Sequence, residues 1–139
     1  MAEENIDYTD VKAAKEFFIK DRYAMVTTGI DILAVDKNYA KCVMPIEDRH
    51  LNAGNSVMGG AIYTLADFTF AVATNFNRPL TVTLTSSISY LSAAKGSQLF
   101  CESRLIKDGR RNCFFEFEIT DDLGTKVATV VTTGAHTVF

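Results

Sequence analysis

GGAIYTLADFTFAVAT fills residues 59–74. Ala, Leu, Ile, Val and Phe recur in it around nearly the whole circumference of a 3.6-residue helix. A helix that is apolar on every side is a buried one. A single helix of this kind is satisfied only if a sheet wraps around it. Gly59 and Gly60 open the stretch, and Asp67 stands at mid-length as its one charged residue.

Beyond Pro79 the apolar period changes to two. Segments near 80–91, 97–107, 111–120 and 125–138 are rich in Thr, Val, Ile, Phe and Tyr. They are separated by Lys95-Gly96, Lys107-Asp108-Gly109-Arg110 and Asp121-Asp122-Leu123-Gly124. Turn residues at such regular intervals predict four consecutive antiparallel strands. On the other side, residues 47–58 are loop-like, with Asp48, Asn52, Gly54, Asn55 and Ser56. From about 26 to 46 two apolar-rich runs flank a turn at Asp36-Lys37-Asn38, the pattern of a β-hairpin. Residues near 9–23 predict an amphipathic helix. Thr9 or Asp10 can cap it, and Val11, Ala14, Phe17 and Phe18 recur at helical spacing. The layout is α+β: helix, two strands, buried helix, four strands. No repeat, linker or composition shift divides the chain, so one domain over 1–139 is expected.

The composition excludes several classes of function. With 47% hydrophobic and 22% charged residues, a core can form without staples. A net charge of −3 and the lack of a basic tail weigh against nucleic-acid binding. The acidic start MAEENIDYTD does not have the form of a secretory signal, and no apolar run approaches the ~20 residues of a membrane span. A cytoplasmic setting is expected. Cys42, Cys101 and Cys113 are odd in number and form no CxxC. They predict small buried residues in a reducing compartment, with no disulfide framework and no metal site.

Asp67 is the anomaly of the sequence. Its neighbours at helical spacing, Tyr63, Thr64, Phe70 and Ala71, include no cation, so no ion pair along the helix is available. An unpaired carboxylate in apolar surroundings has a raised pKa and is a candidate base or nucleophile. The plainer alternative is a hydrogen bond to a distant backbone amide. Gly59-Gly60 lets a ligand approach the unpaired amides of the helix start, which suits an oxyanion developing on a thioester carbonyl. Close packing or a sharp turn would use the same two residues. Gly60 and Asp67 lie seven residues apart, about 10 Å along a helix axis. One carbonyl carbon must sit near both an oxyanion donor and the attacking group. If the two act together, they come from different subunits, which predicts an active site at a dimer interface.

Other candidates are weaker. Asn52 either binds a carbonyl or water, or shapes an Asn/Gly-rich loop. Thr83 either orients a water or the carboxylate, or serves β-propensity, since Thr81, Thr83 and Thr85 alternate along one strand. His50 and His136 have no evident partner in the sequence. Lys95, Lys107, Arg110 and Arg111 fall at hairpin turns, where they are either solvated or meet the phosphates of a nucleotide-like ligand. Tyr63, Phe68, Phe70 and Phe76 line an acyl pocket or fill the core.

The stretch Asn52-x-x-x-x-x-Met58-Gly59-Gly60, followed by Leu65-Ala66-Asp67, resembles the phenylacetate-pathway (PaaI-like) thioesterase family of hotdog proteins. Ser87-Ile88-Ser89-Tyr90-Leu91-Ser92-Ala93-Ala94-Lys95-Gly96 is similar to that family's next strand and turn. The resemblance implies a long helix wrapped by a curved antiparallel sheet. It implies dimers that pair into tetramers, and hydrolysis of an acyl-CoA substrate without metal or cofactor. Asp67 would activate water or attack the thioester, and the Gly60 amide of the other subunit would polarise the carbonyl. Asn52 would hold the thioester or the lytic water, and Thr83 would stand beside the carboxylate. Met58, Gly59, Tyr63, Lys95, Arg110 and Arg111 would contact substrate. Met58 departs from the family pattern, in which His precedes the two glycines, and Met cannot donate a hydrogen bond. The competing expectations are a non-catalytic acyl-CoA binding protein, which Met58 favours, and a hotdog hydratase or dehydratase, which needs a His near the carboxylate.

Overall fold

A computed structural model describes residues 5–139; Met1–Glu4, part of the acidic start, lie outside the described residues. Helix α1 (Val11–Phe18) begins where Asp10 accepts a hydrogen bond from the Ala13 amide at 3.0 Å. It is shorter than the predicted 9–23. The chain leaves the helix after Phe18 and forms a separate π-helical turn, Tyr23–Thr27, closed by the Thr28 amide on the Tyr23 carbonyl at 2.8 Å. Strands β1 (Asp31–Asp36) and β2 (Tyr39–Pro45) form the expected hairpin, which therefore starts later than residue 26. Asn38 turns it at φ 59°, a conformation Asn tolerates.

Helix α2 (Gly59–Asn75) follows, then β3 (Thr81–Tyr90), β4 (Gln98–Asp108), β5 (Asn112–Asp121) and β6 (Lys126–His136). The four strands fall within two residues of their predicted bounds. All six strands form one antiparallel sheet in the order β1-β2-β4-β5-β6-β3. The sheet curves around α2, which is the hotdog arrangement. In β5 every second residue is buried: Cys113, Phe115, Phe117, Ile119 and Asp121 all point inward. Phe70 of α2 meets Phe115 and Phe117 edge-on, at ring separations of 5.7 and 6.3 Å. Leu65, Phe68 and Val72 complete the helix side of this core. The three threonines of α2 hydrogen-bond carbonyls one turn back, so none is left unsatisfied inside the sheet.

Gly134 of β6 is the tightest point of this packing. A Cβ there would come within 2.7 Å of the Phe70 ring and 2.8 Å of the Cys113 sulfur. Gly134→Ala is therefore expected to cost about 1–3 kcal/mol by overpacking. Urea unfolding will show it as a lower midpoint at unchanged slope; an unshifted midpoint would mean that the core yields at this point.

The cysteines are free and buried. Cys42 and Cys101 stand directly opposite each other on β2 and β4, and burial pushes the Cys42 thiol up to about 12. Such thiols are inert. Among the described residues no helix is long and apolar enough to cross a membrane.

Two features differ from the sequence expectation and bear on function. First, α2 is not buried all round. Gly60, Thr64, Asp67, Ala71 and Asn75, spaced at four, three, four and four, form a stripe that reaches the surface. Second, β3 is an edge strand of ten residues with most of its side chains exposed, including Val82 and Leu84.

Candidate active site

Asp67 lies on the exposed stripe of α2, at an open depression of about 360 Å³. The depression is lined by Asp21, Arg22, Tyr23, Ala24, Thr64, Asp67, Phe68 and Ala71. Among the described residues the carboxylate has no hydrogen-bond or ion-pair partner, so the alternative of a distant backbone amide falls away. Partial burial, and after it the negative charge of Asp21, push its pKa above the usual carboxylate range. Burial also raises the pKa of Asp21. If Asp67 works as a base it must be ionised, so activity falls as pH drops through this raised value. Asp21→Asn removes the like charge and is expected to move the acid limb of kcat/KM to lower pH. An unmoved limb in the pH profile would show that Asp21 does not act on the working group.

Gly60 lies two turns earlier on the same stripe, at a second depression of about 160 Å³. Tyr23, Thr27, Thr28, Arg49, His50, Met58 and Ala61 share it. Met58 is the N-cap of α2 and offers no side-chain cap. The Ala61 and Ile62 amides both bond the Met58 carbonyl, at 3.0 and 3.2 Å, while the Gly60 amide has no acceptor among the described residues. The two glycines differ in purpose. A Cβ on Gly59 would lie 2.9 Å from the Tyr90 hydroxyl, whereas one on Gly60 would meet only the end of the Met58 side chain, at 3.2 Å. Gly59 therefore serves packing, and Gly60 leaves the helix start approachable.

The site is thus a trough with an unpartnered carboxylate at one point and an unpaired backbone amide about 10 Å away along the helix; Arg22 lines the same depression, but among the described residues neither Asp67 nor Asp21 forms an ion pair. Residues 54–128, more than half of the chain, fit the family model described as Thioesterase superfamily. The chain belongs to that superfamily. A protein of Archaeoglobus fulgidus whose name carries the word esterase is 30% identical over 119 residues, which cover 85% of this chain and 77% of that one. The acyl-coenzyme A thioesterase PaaI of Escherichia coli is 29% identical over 101 residues, 72% of each chain. The solved structure of E. coli PaaI superposes with a TM-score of 0.82, covering 91% of this chain and 92% of the other at 22% identity, and it shows the shared fold. A Streptococcus mutans protein bound to acetyl CoA is 28% identical, with a TM-score of 0.73, covering 78% of this chain and 89% of that one. The α+β hotdog fold, the PaaI-like resemblance and the enzyme class of thioester hydrolase are all borne out.

The remaining candidates of this thioesterase separate clearly. Asn52 does shape its loop: its Oδ1 accepts from the Gly54 and Ser56 amides at 2.9 and 3.2 Å. Only its amide nitrogen is left over for a ligand. Thr83 is paired with Gly134 and shares its face of the sheet, the side toward α2. A bulge between Thr83 and Thr85 breaks the simple alternation of Thr81, Thr83 and Thr85. Phe68, Phe70 and Phe76 are core, and only Phe68 borders the Asp67 depression. Tyr63 is half-buried on α2.

Lys95 and the arginine pair Arg110 and Arg111 do not converge within one chain. Lys95 follows the end of β3, whereas the two arginines lie beside its start, where Thr81 pairs with His136. Ten strand residues, roughly 30 Å, separate them. Arg111 lies over the Phe139 ring at 4.8 Å. The histidines, without partners in the sequence, have partners in space. His50 accepts from the Glu47 amide at Nδ1 (3.0 Å), which leaves Nε2 to donate to the Thr28 carbonyl (2.7 Å). His136 bridges Thr81 and Asp108, at 2.8 and 2.7 Å. Neither is free for proton transfer at Asp67, which removes the support a hydratase would need.

Sequence reasoning missed the segment 21–24. It folds over α2 only because the chain breaks after Phe18. Asp21 and Tyr23 then form one wall of the trough, and Tyr23, exposed at its crest, borders both depressions. The capping and periodicity signals treated these residues as the tail of a helix. The tight Thr28-Gly29 exit was the one available hint.

Proposed function

We propose that this thioesterase hydrolyses an aryl- or short- to medium-chain acyl-CoA to the free acid and CoA, with Asp67 as general base. Water adds its oxygen to the thioester carbonyl carbon while its proton passes to Asp67. The oxyanion rests on the Gly60 amide. The carbon–sulfur bond then breaks, and Asp67 returns the proton to the CoA sulfur. The single observation that carries this reading is the unpartnered Asp67 carboxylate, held above its usual pKa on the floor of the trough. The acetyl-CoA-bound relative supports CoA as the carrier. Fully buried, free thiols suit the cytoplasm.

The site is shared between two copies in a homodimer, which pairs further into a dimer of dimers. The ten-residue edge of β3 supports the first step. An exposed edge of this length carries unpaired backbone groups and Leu84 and Val82 side chains that a second β3 would cover. A two-fold axis at that edge carries the Gly60 end of one α2 toward the partner's trough. Thr83 lies on the α2-facing side of that edge strand.

Complementation tests the sharing. Gly60→Val and Asp67→Asn are each expected to be inactive alone. Co-expressed, they form mixed dimers in which one of two sites has both wild-type groups, so about a quarter of full activity returns. If each site lay within one chain, no activity would return.

A further inference from the structure

The geometry points to Tyr90 as a positioning residue that aims the Gly60 amide at the thioester oxygen, and this assignment rests on the oxyanion role proposed above for Gly60. Tyr90 ends β3, and its hydroxyl donates a hydrogen bond to the Gly59 carbonyl at 2.8 Å. That carbonyl and the Gly60 N–H belong to one peptide unit. The unit is planar, with its C=O and N–H antiparallel, so fixing the oxygen fixes the direction of the N–H.

The same carbonyl also takes the first bond of α2, from the Tyr63 amide one turn on, so the hydroxyl adds to the helix a second hold on this peptide. It is the first of α2, where no preceding turn exists, and Met58 supplies no side-chain cap. Glycine on both sides makes this first turn the part of the helix most ready to fray. Among the described residues the hydroxyl is the one side chain bonded to this peptide, at the point where a wandering donor would weaken the site. Gly59 is fitted to this grip, because a Cβ there would lie 2.9 Å from the same hydroxyl. The bond also acts electronically. A carbonyl that accepts a hydrogen bond polarises its peptide, making the attached N–H a stronger donor. In this chain, with Met58 in place of an imidazole, the peptide donor carries more of the oxyanion.

Tyr90 touches no substrate in this assignment, so the test needs a readout that loss of packing would not move. Tyr90→Phe removes one exposed oxygen and keeps the ring. In 15N–1H spectra of the intact protein, the Gly60 amide proton is expected to shift upfield in Tyr90→Phe. With acyl-CoA substrate, kcat should fall roughly 10- to 100-fold with KM nearly unchanged, less than the loss from deleting an oxyanion donor outright. An unmoved Gly60 resonance, a wild-type kcat, or a loss confined to KM would each overturn the assignment. The two readings fail separately. If Asp67→Asn keeps full activity, the catalytic reading is wrong, whereas the Gly60 resonance still reports whether Tyr90 holds that peptide.

Discussion

Asp67→Asn is expected to lower kcat for acyl-CoA hydrolysis about 1000-fold while leaving the fold and CoA binding intact. The amide keeps the shape of the side chain but cannot take a proton from water, and loss of a general base commonly costs 100- to 10,000-fold. The variant should also unfold no more easily than wild type at neutral pH. The reason lies in the sign of linkage. The folded pKa of Asp67 is raised, so any stability it lends is present below its unfolded pKa and lost as pH rises through the folded one. At neutral pH the ionised group, beside Asp21, is a burden that asparagine removes. A thiol-coupled assay over aryl-, short- and medium-chain acyl-CoA, with thermal unfolding alongside, checks both halves. Equal turnover in the two proteins would show that another carboxylate does the work. No turnover by wild type, with acyl-CoA still bound, would mark a binding protein disabled at Met58.

Asp121→Asn is expected to be the most damaging single change to folding. Asp121 occupies the last inward position of β5, and its side chain is 3% exposed. Its Oδ2 accepts the Lys95 and Gly96 amides at 2.8 and 2.9 Å, and its Oδ1 accepts those of Leu123 and Thr125 at 3.0 and 2.8 Å. Burial alone would raise the pKa, but these amides, led by Lys95 and Thr125, outweigh it and hold the carboxyl far below the usual range. Asparagine turns an NH2 toward two backbone N–H groups that need an acceptor, so a melting temperature lower by about 10 °C or more is expected. The stability from Asp121 is present above its unfolded pKa, about 3.9, and is lost as pH falls toward the depressed folded value. Wild type should therefore lose stability steeply in acid, and the gap to the variant should narrow there. A variant that melts within 2 or 3 °C of wild type would show that water replaces the carboxylate.

The elements were legible because two periodicities divide cleanly at Pro79. The helix from Gly59 to Asn75 and the four later strands follow from side-chain spacing alone. Asp67 was legible because a charge in an apolar helix has few explanations. What was hidden depends on folded neighbours. The exposed stripe of α2 looks apolar because Gly60 and Ala71 are small, and only the gap left by the sheet shows that this side is open. Asp121 looks like a turn residue until its place in the inward series of β5 is known. Lys95 and the Arg110–Arg111 pair resemble one basic cluster on paper, yet the length of β3 holds them apart. The cross-strand partnership of Cys42 with Cys101 appears only with the strand register.

The π-helical turn that presents Tyr23 is clamped through its backbone. Arg49 donates to the Thr27 carbonyl at 2.6 Å and the Val26 carbonyl at 3.3 Å, and His50 donates to Thr28. The clamp grips main-chain oxygens, which every amino acid supplies. Side chains at 22, 23, 26 and 27 can therefore be exchanged without loosening the loop that bears them. The wall of the trough behaves as a replaceable facing on a fixed frame. Diversification aimed at a new acyl group belongs at Arg22, Tyr23 and Thr27, which border the two depressions, with Arg49 and His50 left untouched.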